Sequence, residues 1–474
     1  MTTSSGRARA ALKAAPNEVG HHANRTILGS IGALAPRRSM SSALFMSRTN
    51  GKRAVLIFPH TSYRVQMYVE AARRLGVELT LATDRGGLCA PFGLPVIEVD
   101  FSQPEGAAEA VTRKCRFDGV VATHEASALV AAHLAALRGL PHNDPAAARA
   151  TRDKRLMRQR LASAGFLAPR FRVVEPRETA QIVAGGVRFP CVVKATMLSG
   201  SQGVIRADDP PALDRAMARV RAILANSPSE ANRDPSFYRI LVEDYLPGHE
   251  VAVEALMTDG EFQPLAIFDK PDALVGPYFE ETLYITPSRH SPRRQERILD
   301  VAARAARALG LSHGPIHAEL RASGEEVSVV EVAARSIGGL CSRVLELVVG
   351  SLEELILAHA VGLPRAHRPR VREGVSSFRR TRAAASGVMM MPIPRSGILR
   401  RVTGLEDARA VAGVNDVVVA AGLGQTIRAL PEGSSYLGFI FAQAATAHEV
   451  EHALRASFAA LRFELAPLLP LLLE

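Results

Sequence analysis

From Arg53 onward the apolar positions repeat with alternating short and helical periods. Residues 54–58 form a short apolar run, 59–64 a polar loop, and Val65, Val69, Ala72 and Leu75 recur on one helical face that Gly76 closes. Val77, Leu79 and Leu81 then alternate as a second strand, and 119–122 is a third, ahead of an Ala-rich helix over about 127–138. Strands alternating with helices predict a small α/β unit with a parallel sheet.

Further along, a helix over 153–164 carries Leu156, Met157 and Leu161 inward and ends at Gly165. Strands follow at 191–195, 240–243 and 250–256, with a small-residue loop over 198–203. A hairpin is expected over 316–331 and a helix over 352–361. The basic, proline-punctuated stretch 364–374 reads as a connection, and 375–463 as a third unit of short strands and one helix.

Composition narrows the class. A chain of 474 residues, 47% of them apolar, is long enough for two to four cores and too apolar for disorder throughout. Of the net charge of +11, +8 sits in residues 1–53, so the remainder is near neutral. That basic, acid-poor opening has the composition of an organelle transit peptide, and a start codon assigned too far upstream would look the same. Either way residues 1–52 are expected to be a disordered extension. The protein is placed in the cytoplasm, or in an organelle such as the mitochondrion if the extension is a transit peptide. No apolar run reaches the ~20 residues of a spanning helix. With no Trp and its charge confined to the amino terminus, the chain is expected to bind neither nucleic acid nor membrane. Cys89, Cys115, Cys191 and Cys341 stand far apart, without metal-ligand spacing, and read as reduced thiols.

The first turn, PHTSYR, lacks GxGxxG, and no GxxxxGK[ST] loop exists anywhere, so a nucleotide must be held by other means. The loop His60–Thr61–Ser62–Tyr63 still lies at the carboxyl end of a strand, where open α/β sheets bind ligands; the plainer reading is that Thr61 or Ser62 caps the next helix. Lys194 ends the strand FPCVVKA and is followed by Ser199, Gly200, Ser201, Gln202 and Gly203. A cation beside a loop of so little bulk suits phosphates, which need charge and close backbone approach. In Glu243–Glu250 (EDYLPGHE) one strand stops and another begins; exposed backbone there can meet an adenine edge, or it is simply a charged corner. Glu319 and Glu331 interrupt apolar runs on consecutive strands. Buried carboxylates need a cation. A turn near Gly324 and Glu325 would bring the two together, and two carboxylates with phosphate oxygens and water are how Mg²⁺ is held. Arg335 would share that face and neutralise a phosphoryl group, unless it forms a structural bridge to Glu331.

In order and spacing, Asp153–Lys154, Val193–Lys194, the SGSQG loop, EDYLPGHE, HAE and EVAARSIGG resemble the ATP-grasp enzymes over about 143–363. Residues 388–463, with GILRRVTGLEDARAVAGVNDVVV and SSYLGFIFAQA, are similar to the C-terminal domain of L-amino-acid ligases and carnosine-synthase-like proteins. The resemblance implies an α+β ATP-grasp fold within an α/β protein. It comprises an amino-terminal parallel-sheet domain (53–142), a central ATP-grasp domain (143–363), a linker (364–374) and a small α+β C-terminal domain (375–474). It implies ATP as cofactor with Mg²⁺, Mn²⁺ being an alternative. Lys154 and Lys194 would contact phosphates under a mobile loop containing Ser199, Gly200, Ser201 and Gly203. Glu243, Tyr245 and Leu246 would line the adenine pocket and Glu250 hold ribose. Glu319 and Glu331 would bind the metal, and Arg335, with Lys194, would serve catalysis. Many relatives place Asn where this chain has Ala333, which puts catalysis in question.

The implied reaction is ligation: a carboxylate becomes an acyl phosphate, an amine displaces phosphate, and ADP leaves. Amino-acid or dipeptide-type substrates are expected, with homo-oligomerisation open. Lys270 or Arg289 would take a carboxylate and Glu280 or Glu281 an ammonium group, plain surface charge being the competing reading. The rivals are biotin-carboxylase-like bicarbonate activation and a non-catalytic ATP-binding regulatory module.

Overall fold

The structure is a computed structural model that describes residues 51–166, 169–227, 235–364 and 384–468. The amino-terminal extension, apart from residues 51 and 52, and the 364–374 connection, apart from Pro364, lie outside the described residues.

Strands β1 (Arg53–Ile57), β2 (Glu78–Thr83), β3 (Val96–Glu98) and β4 (Gly119–Ala122) form a parallel sheet in the order β3-β2-β1-β4. The helix Val65–Leu75 buries the face read from its 3.6-residue period and ends on Gly76 at φ 67°. That buried face shares one core with Leu352, Leu355 and Ile356 of the helix Leu352–Ala360, which ties this layer to the rest of the molecule. The approach is close: a Cβ on Gly119 would stand 2.4 Å from the Ala360 carbonyl oxygen, so no other residue fits there.

A second, antiparallel sheet holds β5 (Phe171–Val174), β6 (Cys191–Ala195), β7 (Val204–Ala207) and β8 (Ile240–Asp244) in the order β5-β8-β6-β7. Its core packs against the helix Pro210–Ala225 through Leu213, Met217, Val220 and Leu224.

The largest sheet begins with β9 (His249–Thr258), β10 (Glu261–Asp269), β11 (Leu283–Thr286), β12 (Gly314–Ser323) and β13 (Glu326–Ala333). The carboxyl-terminal part adds β14 (Ala385–Met391), β15 (Gly397–Thr403), β16 (Val414–Val419), β17 (Thr426–Ile427), β18 (Gly438–Ala444) and β19 (Arg462–Ala466). Three of these strands continue the central sheet, whose order is β13-β12-β9-β10-β11-β14-β18-β16. The other three form the small sheet β17-β15-β19. The central sheet is apolar on both faces: Val251, Val253 and Ile316 pack with the helix Pro292–Ala308, while Ala252, Leu256 and Phe268 face the amino-terminal core.

The helix Lys154–Ser163 corrects one expectation. Met157 and Leu161 are buried, but Leu156 is only half-buried, and Arg158 takes an inward position instead. Its burial is possible because Glu243 pairs with it and the Val330 carbonyl accepts from Nη2 at 2.8 Å.

Candidate functional site

One cavity of about 790 Å³ opens where the parallel sheet, the β5-β8-β6-β7 sheet and the central sheet meet, a size suited to a nucleotide with a further small molecule. Its walls include Lys154, Lys194, Ser199, Gly200, Ser201, Glu243, Tyr245, Leu246, Glu250, Glu319, Glu331 and Arg335. Twelve of the thirteen residues read from sequence therefore share one space. Gly203 does not line it; it closes the loop at φ 67°, against Ala195 and Leu198.

Asp153 caps the helix Lys154–Ser163 by accepting from the Arg155 and Leu156 N–H groups, which fixes Lys154 at the first helical position. Lys154 Nζ donates to the Leu198 carbonyl at 2.7 Å and stands 3.4 Å from Glu331. It thus joins the start of the small-residue loop to the carboxylate of β13. Lys194, near the end of β6, pairs with Glu243 on neighbouring β8. Burial alone would raise the Glu243 carboxyl, but Arg158 and Lys194 outweigh it and lower it to about 2. Glu243 is therefore an internal counter-ion whose side chain is already occupied. Tyr245 stacks on Phe279 with centroids 6.4 Å apart, and Arg206 and Arg321 lie over its ring.

Glu250 is also engaged, contrary to a free ribose-binding carboxylate: Lys270 Nζ lies 2.8 Å and Arg321 Nε 2.9 Å from it. Lys270 further donates to Glu281 and Glu319, each at 2.7 Å. Burial opposes its charge, yet the three carboxylates hold its pKa well above the usual lysine value. This ammonium is fully committed, so Lys270 is no receptor for a substrate carboxylate. Arg289 pairs with Asp269 and Glu451 away from the cavity, and Glu280 accepts from the Ile393 N–H; both are structural. Of the four substrate-loop charges, only Glu281 reaches the cavity wall. Burial, then repulsion from Glu319, raises its carboxyl to about 7.

Glu319 and Glu331 are cross-strand partners on β12 and β13. Glu319 also meets the Tyr284 hydroxyl at 3.4 Å and His317 Nε2 at 3.5 Å. A compact set of three acidic oxygens forms from Glu250, Glu281 and Glu319, with Lys270 among them, and does not include Glu331. The donor set nonetheless fits a magnesium nucleotide: two facing carboxylates on one wall, with two lysines beside a small-residue loop for the phosphates. Arg335 does line the cavity, but its ion pair is with Glu125, at the start of the helix Glu125–Leu137, and not with Glu331. The Glu125 carboxyl is lowered because that guanidinium outweighs burial.

The loop His60–Tyr63 lines the cavity. Neither Thr61 nor Ser62 caps the helix Val65–Leu75; Ser62 donates to Thr123 at 3.3 Å. Buried Arg64 binds Glu353, Ser336 Oγ at 2.6 Å and the Ile337 carbonyl at 3.0 Å, pinning the segment that follows Arg335.

Sequence reasoning missed Glu125, Glu254 and the role of His317. Glu254 joins His317 Nδ1 and accepts from the Ile337 N–H at 3.0 Å. A lone carboxylate inside the apolar run VAVEALM was the available signal, the same one that marked Glu319 and Glu331. Glu125 carried no such mark, because acidic residues are ordinary in a helix's first turn.

An ATP-grasp domain model matches residues 187–344, and an L-amino acid ligase C-terminal domain model matches 389–466. The L-amino acid ligase of Bacillus licheniformis superposes with a TM-score of 0.73 at 25% identity, over 88% of this chain and 99% of that one. The chain thus carries an ATP-grasp domain and an L-amino acid ligase C-terminal domain, and its relatives indicate a carboxylate–amine ligase. The chain is 28% identical to the alanine–anticapsin ligase of Bacillus subtilis over 40% of its own length and 43% of that protein's. It is 27% identical to carnosine synthase 1 of Gallus gallus over 70% of its length and 38% of that protein's. It therefore aligns with less than half of either relative. Biotin carboxylase of Campylobacter jejuni, at 14% identity and a TM-score of 0.58, shares the fold alone. ATP binding follows from the fold. No described helix is long and apolar enough to cross a membrane.

Proposed function

We propose that this ligase joins an amino-acid-type carboxylate to an amine through an acyl phosphate, releasing ADP and phosphate in the cytoplasm. The observation that carries the reading is the facing pair Glu319 and Glu331 in one cavity with Lys154 and Lys194. Its similarity to ligases of amino acids supports the substrate class.

Lys154 and Lys194 bind the phosphates from the helix start and the strand end, and the loop from Ser199 to Gly203 excludes water above them. Glu319 and Glu331 hold Mg²⁺, or Mn²⁺ in its place, which when bound screens the negative charge of the phosphates. The substrate carboxylate attacks the γ-phosphorus, the bond to the bridging oxygen breaks, and ADP is the leaving group. Arg335 binds the transferred phosphoryl group. Glu281 receives the ammonium group of the carboxylate substrate. The amine then attacks the acyl carbon, loses a proton and expels phosphate. Ala333, buried opposite His317 and on the cavity wall, leaves room for water where a larger side chain would stand.

The test is ADP release by the purified chain with Mg²⁺ and ATP against pairs of amino acids, followed by mass analysis of the product. ADP formation that requires both an amino-acid carboxylate and an amine, with an amide of the summed mass less water, is expected. Turnover with bicarbonate and biotin, or nucleotide binding without turnover on any pair, would overturn the reading.

A further inference from the structure

The loop assigned to the phosphates does not lie open. The Gly203 N–H donates to the Pro431 carbonyl at 3.0 Å, and Gln202 Nε2 donates to the Glu432 carbonyl at 2.7 Å. Arg219, on the helix beneath the loop, holds the Glu432 carboxylate with two bonds of 2.6 and 3.0 Å. At the tip, a Cβ built on Gly200 would be 3.3 Å from Ser434 Cβ, so the two chains are in contact there. Gly433 sets the turn that presents this segment: its added Cβ would overlap the Arg428 carbonyl oxygen at 1.9 Å. The Ser434 and Ser435 side chains line the same cavity as Lys154 and Lys194, and neither hydroxyl has a hydrogen-bond partner among the described residues.

Two small, hydroxyl-bearing segments from different parts of the chain thus meet at the wall of the cavity that Lys154 and Lys194 also line. We propose that Pro431–Ser435 is the second wall of the phosphate site: Ser434 and Ser435 donate hydrogen bonds to the nucleotide's terminal phosphate, and the Arg219–Glu432 pair fastens the loop against them. The proposal rests on the ATP reading of the cavity and adds the carboxyl-terminal unit to it. Exposed hydroxyl donors with no internal acceptor, on the wall of a cavity that also holds two lysines, suit an anion, and closure from both sides keeps water from the transferring group.

The experiment measures the full chain's affinity for Mg²⁺ with β,γ-imido-ATP and with ADP by calorimetry. In the double variant Ser434→Ala/Ser435→Ala, affinity for the triphosphate is expected to fall about tenfold, with ADP affinity within twofold of the parent, since each lost hydrogen bond to a charged group weakens binding several-fold. Arg219→Glu should weaken the triphosphate similarly, and adding Glu432→Arg should restore it. Parental affinity in the double serine variant, at an unchanged melting temperature, would overturn the wall. Failure of the charge exchange to restore binding would overturn the fastening. Absence of binding of either nucleotide to the parent protein would overturn the ATP reading itself, and this proposal with it.

Discussion

Glu319 and Glu331 face each other because of one extra residue. From the turn, Ser323 pairs with Glu326 and Leu320 with Val329, a register that would set Glu319 opposite Val330; a bulge at Val330 sets it opposite Glu331 instead. Both Val330 and Glu331 reach the cavity wall. The bulge therefore adds an apolar contact beside the carboxylate without separating the acidic pair. Because these two side chains would carry the metal, Glu331→Ala is expected to lower amine-dependent ADP release at least 100-fold with little change in melting temperature. Lys194→Ala should lower turnover similarly by removing a cation from the phosphates, and should also lower the melting temperature, because buried Glu243 then keeps only Arg158. Full turnover in either variant at saturating Mg²⁺ and ATP would rule out the assigned roles.

Arg335 is held from the amino-terminal layer. Its Nε lies 2.9 Å from Glu125 Oε1, both side chains are largely buried, and the pair bridges the helix Glu125–Leu137 to the end of β13. A guanidinium so anchored is aimed before substrate arrives. Glu125→Gln, which keeps size and loses charge, should lower kcat about 10- to 100-fold and leave KM for ATP nearly unchanged, because the loss falls on transition-state charge and not on nucleotide binding. Equal changes in both constants would show that Glu125 only supports the fold.

The outline of the fold was readable because its signals are local. The face of Val65, Val69, Ala72 and Leu75, the stop at Gly76 and the strand Cys191–Ala195 all follow from period and punctuation within a dozen residues. Carboxylates in apolar runs revealed Glu319 and Glu331 for a related reason: burial without a cation is too costly to be accidental. What stayed hidden depends on contacts between distant segments. Nothing near Glu250 or Lys270 announces that they neutralise each other, and Arg158 takes the inward place expected of Leu156 because its partner, Glu243, comes from the distant strand β8. The continuation of the central sheet by β14, β18 and β16 was likewise invisible, since strand pairing across a connection leaves no periodic trace.

Lys270 supplies the positive charge among Glu250, Glu281 and Glu319. Replacing it by Met preserves much of the apolar stem and leaves three carboxylates close together without their shared ammonium. The expected cost is about 3–5 kcal/mol of unfolding free energy, the range for breaking a buried ion pair from one side. Denaturant titration at neutral pH measures it. Added Mg²⁺ should recover part of the loss, since a divalent cation can take up the exposed charge. A variant as stable as the parent would show that the cluster carries fewer charges than its geometry indicates.

His317 gives the ligase a pH dependence of definite sign. Burial opposes its protonation, but Glu254 and then Glu319 outweigh this and raise its pKa from 6.5 to about 9. A group whose folded pKa exceeds its unfolded one contributes fully below the lower value and loses that contribution as pH rises through the higher one. Nucleotide-free protein should therefore lose stability between about pH 6.5 and 9, by on the order of 2–3 kcal/mol. His317→Gln removes the titrating ring, so its stability should be lower at pH 6 and nearly flat over the same interval. Urea unfolding across pH 6 to 10 separates the cases: parallel curves for parent and variant would mean that His317 is not the group responsible. The same imidazolium stands 3.5 Å from Glu319, so its loss of charge should also weaken the hold on that carboxylate's position. The fall in turnover above pH 9 should then be steeper in the parent than in His317→Gln.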